Sequence, residues 1–238
     1  MPSDPLLLLF DIDGTLLQKA HEAHRDALHA ALAEVYGVRD PASAGVEAAG
    51  RTDGEIARDI LTCAGVSAAR AAARAAELRA AVCGAYAQLC PADLSGHVAP
   101  GIVELLELLA WRYDVRLSLV TGNFEPVARL KLERAGIGHH FPVGQGAFGS
   151  DHEDRTMLPA IARRRAGDDA RPHPRERTVV IGDTPRDVAC ARADGVRCLA
   201  VASGPYPAAE LRGADAVAGG GEELRTLIAG LLGDHEHD

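Results

Sequence analysis

Four short apolar runs, each followed by polar or glycine-rich residues, recur along the chain. The first spans residues 6–10 and stops at Asp11, and the others span residues 117–120, 178–181 and 198–202. Continuous apolar runs of this length are typical of buried strands in a parallel sheet whose two faces are both covered. Each run therefore predicts a strand whose carboxyl end is marked by polar residues.

Helical patterns separate and follow these strands. They cover residues 101–111, 125–135, 156–166, 185–193 and 222–232. Gly136 is well placed to end the second of these helices, because glycine readily adopts the left-handed conformation found there. Strands that alternate with helices predict a doubly wound, Rossmann-like α/β fold built on a parallel sheet.

Residues from about 18 to 95 break this rhythm, since they contain no strand-like run and are rich in Ala, Arg, Glu and Leu. The stretch 67–89 predicts one long helix. We therefore predict a helical cap domain, residues 18–95, inserted into a core formed by residues 1–17 and 96–238. The acidic tail, residues 233–238, is interpreted as a disordered chain end rather than a metal site.

The amino-acid composition indicates which partners the protein can bind and in which compartment it is found. Hydrophobic residues make up 47% of the 238 residues, enough for a substantial core. A net charge of −9 disfavours nucleic acids and membrane surfaces, which both attract cationic patches. The five cysteines are scattered and form no C-x-x-C pair, a pattern typical of proteins in a reducing compartment. The first apolar run is too short to span a bilayer. We expect a cytoplasmic protein with neither nucleic-acid nor membrane partners.

Candidate chemistry begins where the first strand ends, in the sequence Asp11-Ile12-Asp13-Gly14-Thr15. Ligands of parallel sheets bind beyond the carboxyl ends of the strands, so Asp11 would face the substrate. Asp13 could protonate a leaving oxygen and then take a proton from water. Two carboxylates this close repel each other unless a cation joins them. The alternative is a simple turn, where Asp-Gly pairs are common.

A second polar segment, Thr121-Gly122-Asn123, follows the next predicted core strand and precedes a helix. A hydroxyl together with free backbone N–H groups at a helix N-terminus can cradle a phosphate group. The alternative is that Thr or Asn caps the helix.

The third segment contains Asp183, Pro185 and Asp187, again between a strand and a helix. Magnesium prefers oxygen ligands, and Asp11, Asp183 and the backbone carbonyl of Asp13 would supply them. This segment, too, could be only a helix cap and a turn. Three such segments in order, each after an apolar strand, favour phosphoryl-transfer chemistry over three coincidental caps.

These segments resemble the haloacid-dehalogenase superfamily of phosphohydrolases, which has motifs matching D-I-D-G-T, T-G-N and G-D-T-P-R-D. The inserted helical cap is similar to that of its phosphoglycolate-phosphatase-like subclass. The resemblance implies a magnesium-dependent phosphatase that hydrolyses a small phosphate monoester through an aspartyl-phosphate. The implied roles are nucleophile for Asp11, general acid/base for Asp13, phosphate ligand for Thr121, metal ligand for Asp183, and ligand or orienting group of the metal shell for Asp187.

One motif departs from the family, which normally places a lysine between the second and fourth motifs. Lys131 lies ten residues past Thr121, roughly 15 Å along a helix, and is expected to point away from the phosphate. We predict instead that Arg155 takes the lysine's role, because a guanidinium stays charged and can bind two oxygens at once. The alternative is a surface ion pair with Glu153 or Asp154.

In the predicted cap, Thr52 and Glu55 have the spacing of a capping box and are interpreted as structural. Arg51, just before them, could reach into the cleft and hold an anionic group of the substrate.

Other functions stay open at this point. A phosphomutase would share the first half-reaction with a phosphatase. A dehalogenase is disfavoured because it would have no use for Asp13 and Asp183. A non-catalytic binder of phosphorylated ligands is disfavoured because it would not need the catalytic carboxylates. The sequence leaves open phosphoglycolate, a sugar phosphate or a nucleotide as substrate, and it does not indicate an oligomeric state.

Overall fold

The computed structural model describes residues 4–233. The interpretation of the tail that contains His235 and His237 therefore lies outside the described residues. No helix within residues 4–233 is both long and apolar enough to cross a membrane. The strands are β1 Leu6–Phe10, β2 Val115–Thr121, β3 Ala147–Phe148, β4 Thr178–Gly182, β5 Arg197–Val201 and β6 Ala216–Ala218. The helices are α1 Glu22–Tyr36, α2 Asp53–Cys63, α3 Ala68–Ala73, α4 Ala75–Leu89, α5 Ile102–Ala110, α6 Glu125–Arg134, α7 Leu158–Ala166, α8 Pro185–Asp194 and α9 Gly221–Gly233.

The six strands form one parallel sheet in the order β3-β2-β1-β4-β5-β6. The predicted doubly wound α/β fold is confirmed. Strand β1 lies inside the sheet, where Leu8 pairs with Leu117 on one side and Val179 on the other. The edge strands β3 and β6 were not predicted, because two and three residues are too few to show a pattern.

Side chains of β1 supply both faces of the core. Leu6, Leu8 and Phe10 pack on one face against α5, α6 and α9. Leu7 and Leu9 point to the other face and pack against α7 and α8. Because alternate residues of a strand face opposite sides, a strand covered on both faces has an uninterrupted apolar sequence.

The helices α1 to α4 follow β1 and share a hydrophobic cluster of their own, with Leu32, Ile60, Val82 and Tyr86 among its members. Phe124, next to α6, belongs to the same cluster, so these helices also pack on the core. The division into a core and a cap at residues 18 and 95 stays a prediction.

The prediction of one helix over residues 67–89 was wrong. The chain leaves helical geometry at Arg74, between α3 and α4. The Arg74 guanidinium donates a hydrogen bond to the carbonyl of Val35 and lies 5.7 Å from the centre of the Tyr36 ring. The break lets Arg74 bind the C-terminal end of α1, a long-range contact that local helix propensity does not reveal.

Candidate active site

Two neighbouring strand ends bring the acidic side chains of the first and third segments together. The amide of Asp11 donates to the carbonyl of Ile181 at 2.8 Å, and Asp183 follows the end of β4. Asp11, Asp183 and Asp187 are all buried, and each offers a carboxylate oxygen within 4.8 Å of the other two. We call these three residues the carboxylate cluster.

Burial and mutual repulsion disfavour negative charge in this cluster. Burial raises the pKa of Asp11 to about 6, although Arg155 opposes the shift. Burial, followed by repulsion from Asp11 and Asp187, raises the pKa of Asp183 to about 8. A positive ion placed among these oxygens would remove the cost of ionising them.

Asp183 has the side chain best suited to bind a cation. Its Oδ1 accepts a hydrogen bond from the Thr15 hydroxyl at 3.0 Å, whereas its Oδ2 is buried without a hydrogen-bond partner. Gly14 passes directly over this carboxylate with φ +94°, and a Cβ there would lie 2.0 Å from Oδ2. An unpartnered buried oxygen among carboxylates fits a hard divalent cation, so the cluster can hold a metal ion.

Asp187 has a structural role as well. It forms a capping box with Thr184 at the start of α8, and its Oδ2 accepts from the Thr184 amide at 3.0 Å and hydroxyl at 2.7 Å. Its Oδ1 accepts from Arg155. The helix cap considered as an alternative is therefore present together with the cluster, and it holds the Asp187 side chain in place within the cluster.

Arg155 lies inside the site. Its Nη2 is 3.0 Å from Oδ1 of Asp11 and also pairs with Asp187, and its side chain is buried. Burial alone would lower the pKa of Arg155, but Asp187 and Asp11 outweigh it and keep the pKa well above the ordinary value. Glu153 pairs instead with Arg58 at 2.6 Å, so the surface ion pair considered from the sequence is not how Arg155 is held.

The expectation that Lys131 points away was wrong. Its fully buried ammonium lies 2.7 and 2.6 Å from the two carboxylate oxygens of Asp13. The expectation counted only the rise along α6, but helix side chains tilt toward the N-terminus, and the lysine stem adds reach in that direction. Burial would raise the pKa of Asp13, but the Lys131 ammonium outweighs it and lowers the pKa.

The carboxylate of Asp13 thus lies apart from the carboxylate cluster, although it was predicted as one of the metal-ligating residues. The predicted ligand was its backbone carbonyl, and that role stays a prediction.

The second segment positions Asp13 and contacts the helical insertion. Thr121 ends β2 and is fully buried, and the Asn123 side-chain amide donates to Oδ2 of Asp13 at 2.9 Å. A Cβ on Gly122 would lie 2.0 Å from the backbone oxygen of Arg51, so only glycine fits at this approach. Phosphate binding by Thr121, Gly122 and Asn123 stays a prediction.

Two backbone N–H groups at the start of α6, where the sequence had suggested free ones, already donate hydrogen bonds. The amide of Phe124 donates to Oδ2 of Asp53 at 2.7 Å, and the amide of Glu125 donates to the Ser150 hydroxyl at 2.8 Å. Neither Thr121 nor Asn123 caps the helix, because Phe124 occupies the N-cap position. The anion at this helix terminus is a carboxylate from α2, which local sequence could not reveal.

Arg51 is held by acidic side chains of the insertion itself. Its guanidinium pairs with Glu55 at 2.9 Å and with Asp59, both on α2. These neighbouring acids neutralise the Arg51 charge, and the predicted contact with a substrate anion stays a prediction. Thr52 caps α2 by accepting from the Glu55 amide at 3.1 Å. Since Glu55 turns to Arg51, only this half of the predicted capping box forms.

Sequence reasoning missed His24 and Asp53. Nε2 of His24 lies 3.1 Å from Oδ2 of Asp53, and its Nδ1 lies 3.2 Å from Nζ of Lys131. Both residues are buried in the helical insertion and far in sequence from their core partners. The only local signal was a polar residue on the apolar face of a helix.

The pKa of Asp183 leads to a prediction about metal binding and stability. Between pH 5 and 8 the folded protein retains a proton on Asp183 that the unfolded chain has lost, so rising pH disfavours the metal-free fold. We expect Mg²⁺ to raise the melting temperature more at pH 8 than at pH 5.5. The melting temperature of Asp183→Asn should depend less on pH and should not rise with Mg²⁺. Asp194 is also buried but pairs with Arg163, so Asp194→Asn should keep the Mg²⁺ effect. An undiminished Mg²⁺ shift in Asp183→Asn would contradict this assignment.

A parallel sheet with buried carboxylates at its strand ends and a helical insertion beside them defines the class of this protein, a doubly wound α/β protein with an acidic site at the carboxyl edge of its sheet. The chain belongs to the haloacid dehalogenase-like hydrolases, whose family model matches residues 8–192.

Among curated proteins, the chain is 33% identical over 206 residues to a phosphoglycolate phosphatase of Rhodospirillum rubrum, covering 84% of this chain and 80% of that one. Solved structures share the fold. CbbY from Rhodobacter sphaeroides in complex with phosphate matches with a TM-score of 0.62 and 20% identity, over 92% of this chain and 96% of that one. A hydrolase from Pseudomonas syringae matches with a TM-score of 0.64 and 21% identity, over 95% and 98% of the two chains.

Proposed function

We propose that this protein is a magnesium-dependent phosphatase that hydrolyses a small-molecule phosphate monoester through a phosphorylated Asp11. The observation that carries the proposal is the surroundings of Asp11, whose carboxylate lies 3.0 Å from Arg155 and within 4.8 Å of a carboxylate oxygen of Asp183. Asp13 stands apart, held by Lys131 and Asn123. The two aspartates of the first segment thus have different environments, as a nucleophile and an acid/base group require.

Charge compensation is the first requirement of this reaction, because the substrate phosphate and its attacker are both anions. Arg155 already neutralises part of the charge beside Asp11 and would bind a phosphoryl oxygen next to it. Asp11 and Asp183 would hold Mg²⁺, with Asp187 orienting them. The bound ion would supply positive charge that stabilises the transition state.

Bond changes follow from this arrangement. A carboxylate oxygen of Asp11 attacks phosphorus while the bond from phosphorus to the alcohol oxygen breaks, and Asp13 donates a proton to the departing alcohol. Asp13 then takes a proton from water, which attacks phosphorus and releases phosphate from Asp11.

Asp13 must therefore serve both as an acid and as a base. In the free enzyme the nearby Lys131 ammonium lowers the pKa of Asp13, which suits the base. An incoming phosphate dianion would raise it again and favour the protonated acid.

Phosphoglycolate is the first substrate to test, because the relative with 33% identity is named a phosphoglycolate phosphatase. Sugar phosphates are the next substrates to test, since they would also be the substrates of a phosphomutase. A small metabolite agrees with the cytoplasmic location expected from the sequence.

The proposal is tested by measuring phosphate release from a panel of phosphorylated metabolites, with Mg²⁺ and with EDTA. We expect release that requires Mg²⁺, with phosphoglycolate among the best substrates. Product analysis should recover the free alcohol in equal amount. An isomeric phosphate without free phosphate would instead show a phosphomutase, and binding without turnover across the panel would show a binder.

A further inference from the structure

We infer that His24 and Asp53, both contributed by the helical insertion, are positioning residues for Lys131 and, through it, for the acid/base group Asp13. This inference rests on the proposed function. It adds that the contact between the insertion and the core is what aligns the proton-transfer group.

A continuous chain of short contacts joins these residues. Nζ of Lys131 lies 2.6 and 2.7 Å from the Asp13 oxygens and 3.2 Å from Nδ1 of His24. Nε2 of His24 lies 3.1 Å from Oδ2 of Asp53, which also accepts from the Phe124 amide at 2.7 Å. The chain thus starts at the proposed acid/base, passes through α1 and α2, and returns to the core at the start of α6.

Hydrogen-bond chemistry fixes the direction of every link. An ammonium has three protons and no acceptor, so Nδ1 of His24 accepts from Lys131. The proton of the neutral ring then lies on Nε2 and is donated to Asp53. The Phe124 amide, at the positive end of α6, stabilises the Asp53 carboxylate. Each member therefore has the partner that its chemistry requires.

The environment makes these contacts costly to lose. Lys131 is fully buried, His24 and Asp53 are buried, and the Tyr86 ring packs edge-on against His24 with centroids 5.6 Å apart. Without His24, one ammonium proton would lack an acceptor and the lysine would be free to change rotamer. Asp13 would then keep the Asn123 amide but lose the rigid ammonium that also sets its position.

The sharpest test uses two substrates that differ in their need for a proton. An alkyl phosphate such as phosphoglycolate has a poor leaving group, whereas 2,4-dinitrophenyl phosphate expels a stable phenolate that needs none. We expect His24→Ala to lower kcat/KM about 10- to 100-fold for the alkyl ester and less than about threefold for the aryl ester. The ratio kcat/KM is the useful constant because it reports only the steps up to phosphorylation of Asp11.

Three comparison variants complete the experiment. His29→Ala changes another histidine of α1 that lies outside this network, and should alter neither value. His24→Asn offers an oxygen near the position of Nδ1 and should restore part of the lost activity. Asp13→Asn should show the same selective loss for the alkyl ester as His24→Ala. Thermal unfolding of each variant verifies that it is folded.

The outcomes separate the two proposals. Equal losses for both esters in folded His24→Ala, or no loss for either, would overturn the positioning role while Asp13→Asn still shows selectivity. Failure of the wild type to hydrolyse either ester, or an unselective Asp13→Asn, would overturn the proposed function and this inference with it.

Discussion

Replacing Asp11 by asparagine is expected to lower turnover by about 10⁴-fold or more, because the amide cannot attack phosphorus. The fold should survive. Burial already raises the pKa of Asp11 to about 6, so the site tolerates an uncharged side chain of this shape. Phosphate release at saturating substrate, together with circular dichroism and the melting temperature, measures both expectations.

A matched control is Asp194→Asn, since Asp194 is also buried and paired with an arginine but lies on α8 away from the cluster. It should lose stability and keep turnover at temperatures where it is folded. Trapping of a phosphorylated protein by acid quench should succeed with the wild type and fail with Asp11→Asn. Normal turnover by Asp11→Asn would end the covalent mechanism.

Arg155→Ala is expected to lower turnover by about 10²- to 10³-fold, the usual cost of losing one preorganised charged donor. Arg155 is buried between Asp11 and Asp187, so its removal also leaves two carboxylates without their cation. We expect a loss of about 3 kcal/mol in the free energy of unfolding. Urea denaturation and steady-state kinetics measure the two effects separately.

Arg155→Lys keeps the positive charge and should recover part of both losses, as the lysine usual in the family implies. Arg58→Ala removes an exposed arginine paired with Glu153 and should change turnover little. Full turnover by Arg155→Ala would remove Arg155 from the site's chemistry, whatever its effect on stability.

Sequence alone predicted the parts of this protein that depend on local pattern. The uninterrupted apolar run of residues 6–10 predicted a strand covered on both faces, since alternate side chains there meet helices on opposite sides of the sheet. Asp11 and Asp183 could be expected to meet because each follows a parallel strand, and the carboxyl ends of such strands share one edge of the sheet. Lone strands of two or three residues carry no such pattern, which is why β3 and β6 were missed.

Contacts between the insertion and the core were decided only by the tertiary structure. Arg51 pairs with acids of α2, and Asp53 occupies the helix terminus that had been expected to be free for phosphate. Lys131 reaches Asp13 because the position of its ammonium depends on the direction and length of the side chain as well as on the distance along the helix axis. Local spacing determines elements and strand ends, whereas a buried charge finds its partner through long-range packing that the sequence does not display.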